Sequence, residues 1–145
     1  MKKILAAVIV SIMLFALTTS PKIFIGTERA TVAVVDAQEN LPLTIEFIHS
    51  VQRTPVTEEL IFSAGEFVLR RTIYQSQGVG LPFDAADGTF RQEGDKFIMD
   101  DMNRHFKNLE LRTGKGTRLK ISVGKKTFEL YKKFPVGTKI VVKSF

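Results

Sequence analysis

With 145 residues, 44% of them hydrophobic and 25% charged, the chain has material for one globular core and too little for two. It contains no cysteine, which excludes disulfides, thiolate nucleophiles, cysteine-ligated zinc and the lipid-modified cysteine of a bacterial lipoprotein. The net charge of +6 is unevenly spread: residues 28–103 hold 6 basic and 13 acidic groups (−7), and residues 104–145 hold 12 and 2 (+10).

Met1, Lys2 and Lys3 precede ILAAVIVSIMLFAL, residues 4–17, whose one polar member is Ser11. This is a positive leader followed by an apolar run, the pattern of an export signal. Fourteen helical residues cover about 21 Å of a roughly 30 Å hydrocarbon core. Continuing through TTSPKIFI to Ile25 reaches across it, with Lys22 snorkelling and Pro21 marking a kink or the interface. The small-x-small cleavage candidates are poor, since Ala16-Leu17-Thr18 ends in threonine and Thr18-Thr19-Ser20 is followed by Pro21. The reading is an uncleaved, single-pass signal anchor in the cytoplasmic membrane, with a cleaved and secreted or periplasmic domain as the alternative. Either way Lys2 and Lys3 stay inside and the rest is exported. The chain divides into residues 1–27, leader and juxtamembrane segment, and residues 28–145, exported domain.

From residue 31 the chain reads as strands: TVAVVD, LTIEFIHSV, TEELIFS, EFVLRRTIYQS, TFRQ, KFIMD, FKNLELR, RLKISV, KTFELY and TKIVVKSF. Turn-forming NLP, AG, QGVGLP, DG, EGD, TGKGT, GK and PVG separate them. About eight to ten short strands predict an all-β fold, a single antiparallel β-sandwich or a partly closed β-barrel, preceded by the N-terminal hydrophobic helix. Phe106, Phe128, Tyr131, Phe134 and Phe145 mostly fall where this alternation needs core, so the C-terminal lysines are expected on solvated outer faces. An exported chain rarely meets nucleic acid, so none is expected as a partner. Anionic headgroups or an acidic partner are the other takers for that charge.

In IHSVQRTPVTEE, residues 48–59, a four-residue QRTP turn pairs Val51 with Val56, His49 with Glu58, Phe47 with Leu60 and Ile45 with Phe62. A tight Ala64-Gly65 turn then pairs Phe62 with Phe67, Leu60 with Leu69, Glu58 with Arg71 and Val56 with Ile73. One inner row, His49, Glu58 and Arg71, is polar between apolar rows. A buried glutamate flanked by histidine and arginine is structural glue or the floor of a small-ligand or ion-binding pocket. The QRTP loop and QSQGVGLPF, whose Gly78 and Gly80 permit positive φ, would rim it.

HSVQRTPVTEE, YQSQGVGLP and NRHFKNLELR resemble the bacterial domain of unknown function 1850 from about Leu43 to Leu130. The resemblance marks His49, Ser50, Val51, Thr54, Pro55, Val56, Glu58, Tyr74, Ser76, Gly78, Gly80 and Pro82, with Val79 where the family carries a smaller alanine. It implies small proteins with an N-terminal membrane segment, often encoded beside TAXI-type TRAP (tripartite ATP-independent periplasmic) transporters. It implies no activity.

Other chemistries are weaker. Ser50 points to the opposite strand face from His49, which argues against a Ser50 or Thr54 triad with His49 and Glu58. Asp84 and Asp87 in FDAADGTF lack the spacing of a calcium loop and read as a DG hairpin turn. His105, near Asp100 and Asp101, reads as exposed rather than as a metal ligand. The expectation is therefore a non-catalytic, membrane-tethered accessory domain with no cofactor, no metal and a transporter component as its partner. A ligand-binding β-domain is the alternative.

Overall fold

The alternation of β-branched and aromatic residues with polar ones becomes twelve strands in the computed structural model, which describes residues 20–76, 80–82 and 84–145. Strands β1 (Lys22–Gly26), β2 (Thr31–Asp36), β9 (Asn108–Arg112) and β12 (Lys139–Ser144) form one antiparallel sheet, ordered β2-β1-β12-β9. The larger sheet contains β3 (Leu41–Ile48), β4 (Pro55–Ser63), β5 (Glu66–Tyr74), β6 (Thr89–Glu93) and β7 (Lys96–Asp100). It is extended by β10 (Lys120–Val123) and β11 (Lys126–Glu129), in the order β11-β10-β3-β4-β5-β7-β6, while β8 (Arg104–Phe106) also pairs with β5.

The sheets stack face to face. Ile23, Ile25, Leu109, Ile140 and Val142 from the small sheet share one buried cluster with Leu43, Ile45, Leu60, Phe62, Phe67 and Ile121 from the large one. The fold is a β-sandwich with open edges, and the barrel alternative is corrected: neither sheet closes on itself.

Strand β1 changes the reading of the N-terminal segment. KIFIG sits between β2 and β12 with Ile23 and Ile25 fully buried. Apolar residues that read as the tail of a membrane span are instead core, and the folded unit is under way at Lys22 rather than Glu28. The hydrophobic helix expected before it lies outside the described residues, among which no helix is long and apolar enough to cross a membrane. At the other end of the chain, KTFELY stops being a strand at Glu129. A short helix α1 (Leu130–Lys133) follows, and it drops Leu130 into the core.

The hairpins decide the register. Ala64 (φ 50°) and Gly65 (φ 83°) form a two-residue turn with both residues left-handed, which matches the twist of the flanking strands. Phe62 pairs with Phe67 and Leu60 with Leu69, as the sequence predicts. The β3–β4 connection is longer than the expected QRTP turn. Ile48 pairs with Pro55, so Ile45 faces Glu58 and Leu41 faces Phe62, and residues 49–54 form the loop. The shift is even, which leaves the same faces buried but removes His49 from the ladder.

The burial of β1 gives a direct test. Ile25→Ala is expected to lower the unfolding free energy by about 2–5 kcal/mol in denaturant titration. A change below about 0.5 kcal/mol would place Ile25 outside the core.

Candidate functional site

The polar row expected from His49, Glu58 and Arg71 does not assemble, because β5 contains one extra residue. Glu59 pairs with Arg71 but Leu60 pairs with Leu69, so Arg70 is bulged out and exposed. The bulge coincides with a change of partner: residues 67–69 pair with β8 and residues 72–74 with β7. The Arg70 carbonyl accepts the Met102 N–H at 3.0 Å. Beyond the bulge the facing is inverted, so Thr72 and Tyr74 turn inward where alternation puts Arg71 and Ile73. Glu58 faces Thr72, and Val56 faces Tyr74. The reason is the cost of burial: a threonine hydroxyl, which donates to the Met102 sulfur at 3.4 Å, is far cheaper to bury than a guanidinium.

Arg71 instead builds a polar row on the opposite face. Its guanidinium bonds Glu59 of β4 at 3.3 Å and Asp100 of β7. Asp100 also takes Arg91 of β6, which reaches Glu93. Burial of the Asp100 carboxyl would raise its pKa, but the hydrogen bonds from Arg91 and Arg71 outweigh this and hold it below the ordinary carboxylate value. The same contacts raise Arg71. The signal in the sequence was the Arg70-Arg71 doublet, which stretches the inward spacing from Leu69 to Thr72.

Glu58 stays on the inner face, facing Ile45 and Thr72, without Arg71. Desolvation raises its pKa, and the field of Arg104, itself paired with Asp87, lowers it only partly. Among the described residues, no nucleophile or second carboxylate is paired with it.

His49 is buried in the β3–β4 loop. Its Nδ1 accepts the N–H groups of Val51 and Gln52 at 3.3 and 3.1 Å, and its own N–H donates to the Thr54 carbonyl. It organises the turn rather than a row with Glu58. The rim residues also pack on one another. Thr54 and Ser76 hydroxyls meet at 2.9 Å, and the buried Tyr74 hydroxyl donates to the Pro82 carbonyl. Pro55 starts β4, and Gly80 has φ 87°. Val56, Tyr74 and Leu81 form a second buried cluster, with Phe47 and Phe97 against it. Gly78 and Val79 lie outside the described residues.

Asp84 caps a 3-10 turn at Ala85–Asp87 by accepting the Ala86 N–H, where a DG hairpin was expected. His105 pairs with Glu66 at 3.0 Å, not with Asp100 or Asp101, and the described residues contain no cluster of three potential metal ligands. Of the twelve basic residues after position 103, all but Lys120 are exposed. Phe128 and Phe134 pack on the core, whereas Phe106 and Phe145 are exposed, which corrects their expected place inside.

Glu58 and Asp100 make stability respond to pH with opposite signs. Glu58 has a folded pKa above its unfolded value near 4.5, so its contribution is complete below that value and is lost as pH rises through the folded pKa. The advantage of Glu58→Gln over wild type in unfolding free energy is therefore expected to grow with pH above about 4.5. Asp100 has a depressed folded pKa, so its contribution is present above 3.8 and lost as pH falls through the folded value. The deficit of Asp100→Asn should shrink in acid. A Glu58→Gln difference that is flat with pH would place that carboxyl in solvent.

No curated protein and no solved structure matches the chain. Residues 43–130 match the family described as Domain of unknown function (DUF1850), a stretch that runs from β3 to Leu130 and leaves out β1, β2 and β12 of the small sheet. The chain thus belongs to the DUF1850 family, with its small sheet built mostly from outside the matched region.

Proposed function

We propose that the chain is a membrane-tethered, extracytoplasmic accessory domain that binds a component of a TRAP-type solute transport system through the outer face of its small sheet. The observation that carries this reading is an apolar groove of about 470 Å³ on that face, lined by Phe24, Val141 and Phe145 and flanked by Glu28 and Lys143. Val34, directly opposite Phe24, is 47% exposed. Gly26 makes the groove possible. A Cβ there would lie 2.6 Å from the Phe24 ring and 2.5 Å from the Ala30 carbonyl. Apolar surface rimmed by charge is what a protein partner covers.

Export and tethering rest on the basic leader and apolar run of residues 1–17, and the transporter on what the family resemblance implies. The ligand-binding alternative loses support because its three residues point to different places. Among the described residues, the cavities of about 230, 440, 470 and 560 Å³ are lined by residues other than His49, Glu58 and Arg71.

Affinity capture from native membranes tests the proposal. Val34→Asp with Val141→Asp is expected to reduce recovery of the transporter component about tenfold or more, the effect of losing one good apolar contact. The melting temperature serves as the folding control, and His49→Ala should leave recovery intact. Loss of recovery in His49→Ala or Glu58→Gln without a fall in melting temperature would contradict the reading and favour a ligand pocket.

A further inference from the structure

The chain enters the sandwich at a defined end. The Ala37 N–H bonds the Pro21 carbonyl, and Lys22 and Phe145 exchange both of their backbone hydrogen bonds at 2.9 and 3.0 Å, so both ends of the described fold meet there. The β10–β11 turn is at the same end: Lys22, Asp36, Leu41, Gly124, Lys125 and Lys126 line one surface cavity of about 440 Å³. The β4–β5 turn is there too, since the Ser144 hydroxyl bonds the Gly65 carbonyl. Lys107 and Lys143 lie alongside, where β9 and β12 pair at Asn108.

The charges at this proximal end are unequally neutralised. Asp36 pairs with Lys22, Glu39 holds Ser63 and the Ala64 N–H, and Glu66 holds His105. Lys107, Lys125, Lys126 and Lys143 are exposed and form no ion pair among the described residues. Phe145, 67% exposed, stands among them.

We infer that this end lies flat against the anionic phospholipid headgroups of the membrane that holds the chain, an orientation that rests on the tether proposed above. Four residues, 18–21, separate the apolar run from β1, and they reach at most about 14 Å even when fully extended. Residues 4–17 alone fall about 9 Å short of a roughly 30 Å core, so completing the span and crossing roughly 5–8 Å of headgroups uses up that reach and holds the proximal lysines within about one Debye length of the charged surface. The distal end is also basic, with Arg53, Lys115, Arg118 and Lys133 exposed, so charge alone does not choose between them. The tether does: the nine-residue strand β4 holds the distal end about 30 Å away, several Debye lengths out. Lysines without ion pairs and an exposed aromatic fit an anionic interface.

The absence of cysteine allows clean single-site labelling of the full chain. A nitroxide at Gln38→Cys, beside the chain entrance, is compared with one at Val136→Cys in the distal loop, after reconstitution into phosphatidylglycerol–phosphatidylcholine or pure phosphatidylcholine vesicles. Collision with a water-soluble nickel chelate should fall several-fold at residue 38 and not at 136, only on the anionic vesicles, and Lys125→Glu with Lys126→Glu should restore it. Flotation with the vesicles but equal accessibility at both sites, or no response to the charge reversal, would overturn the orientation alone. Failure to float with either vesicle would overturn the tether and the orientation together.

Discussion

The fold depends on a single inserted residue in β5. That strand has to pair with β8 through Phe67, Val68 and Leu69 and with β7 through Thr72, Ile73 and Tyr74, and the Arg70 bulge lies where one partner gives way to the other. Without it, strict alternation would drive the Arg71 guanidinium into the apolar space between the sheets at a cost of several kcal/mol. With it, Arg71 reaches Glu59 and Asp100 on the outside, while Thr72 and Tyr74 fill the inside. Met102 completes the arrangement. Its N–H satisfies the Arg70 carbonyl, and its buried sulfur accepts the Thr72 hydroxyl.

The inversion also fills part of the interior. Tyr74, directed inward by the bulge, anchors the Pro82 carbonyl and packs on Val56 and Leu81, so Leu81 and Pro82 join the wall of the second apolar cluster. Glu58 is left between the two clusters with a raised pKa and, among the described residues, no reaction partner. One surface cavity lies on the outer face of the small sheet and another at the end where the chain enters. Both use β1, outside the part of the chain that matches the family.

The existence of most strands was legible because a period of two survives in short segments, and the Ala64-Gly65 turn fixed the Phe62–Phe67 and Leu60–Leu69 rows of its hairpin. Three things were not. KIFIG continues an apolar run, and burial in a sheet and burial in lipid call for the same residues. The Arg70 bulge is one residue in an otherwise regular pattern, and it reverses every facing after it without altering composition. The β3–β4 loop is closed by the His49 ring accepting two backbone N–H groups, a contact that strand periodicity does not encode. Of the expected site, Glu58 alone keeps its inner-face place in the ladder, because the longer β3–β4 connection takes His49 into the loop and the bulge turns Arg71 to the opposite face.

A double-mutant cycle on Arg71 tests the bulge most directly, because the two registers give this residue different partners. Paired alanine substitutions of Arg71 with Asp100 should show a coupling of about 0.5–2 kcal/mol, reduced from the buried range by the partial exposure of Arg71. The cycle of Arg71 with Glu58 should show none beyond about 0.3 kcal/mol. Strong coupling to Glu58 together with none to Asp100 would contradict the bulged register and return Arg71 to the inner face.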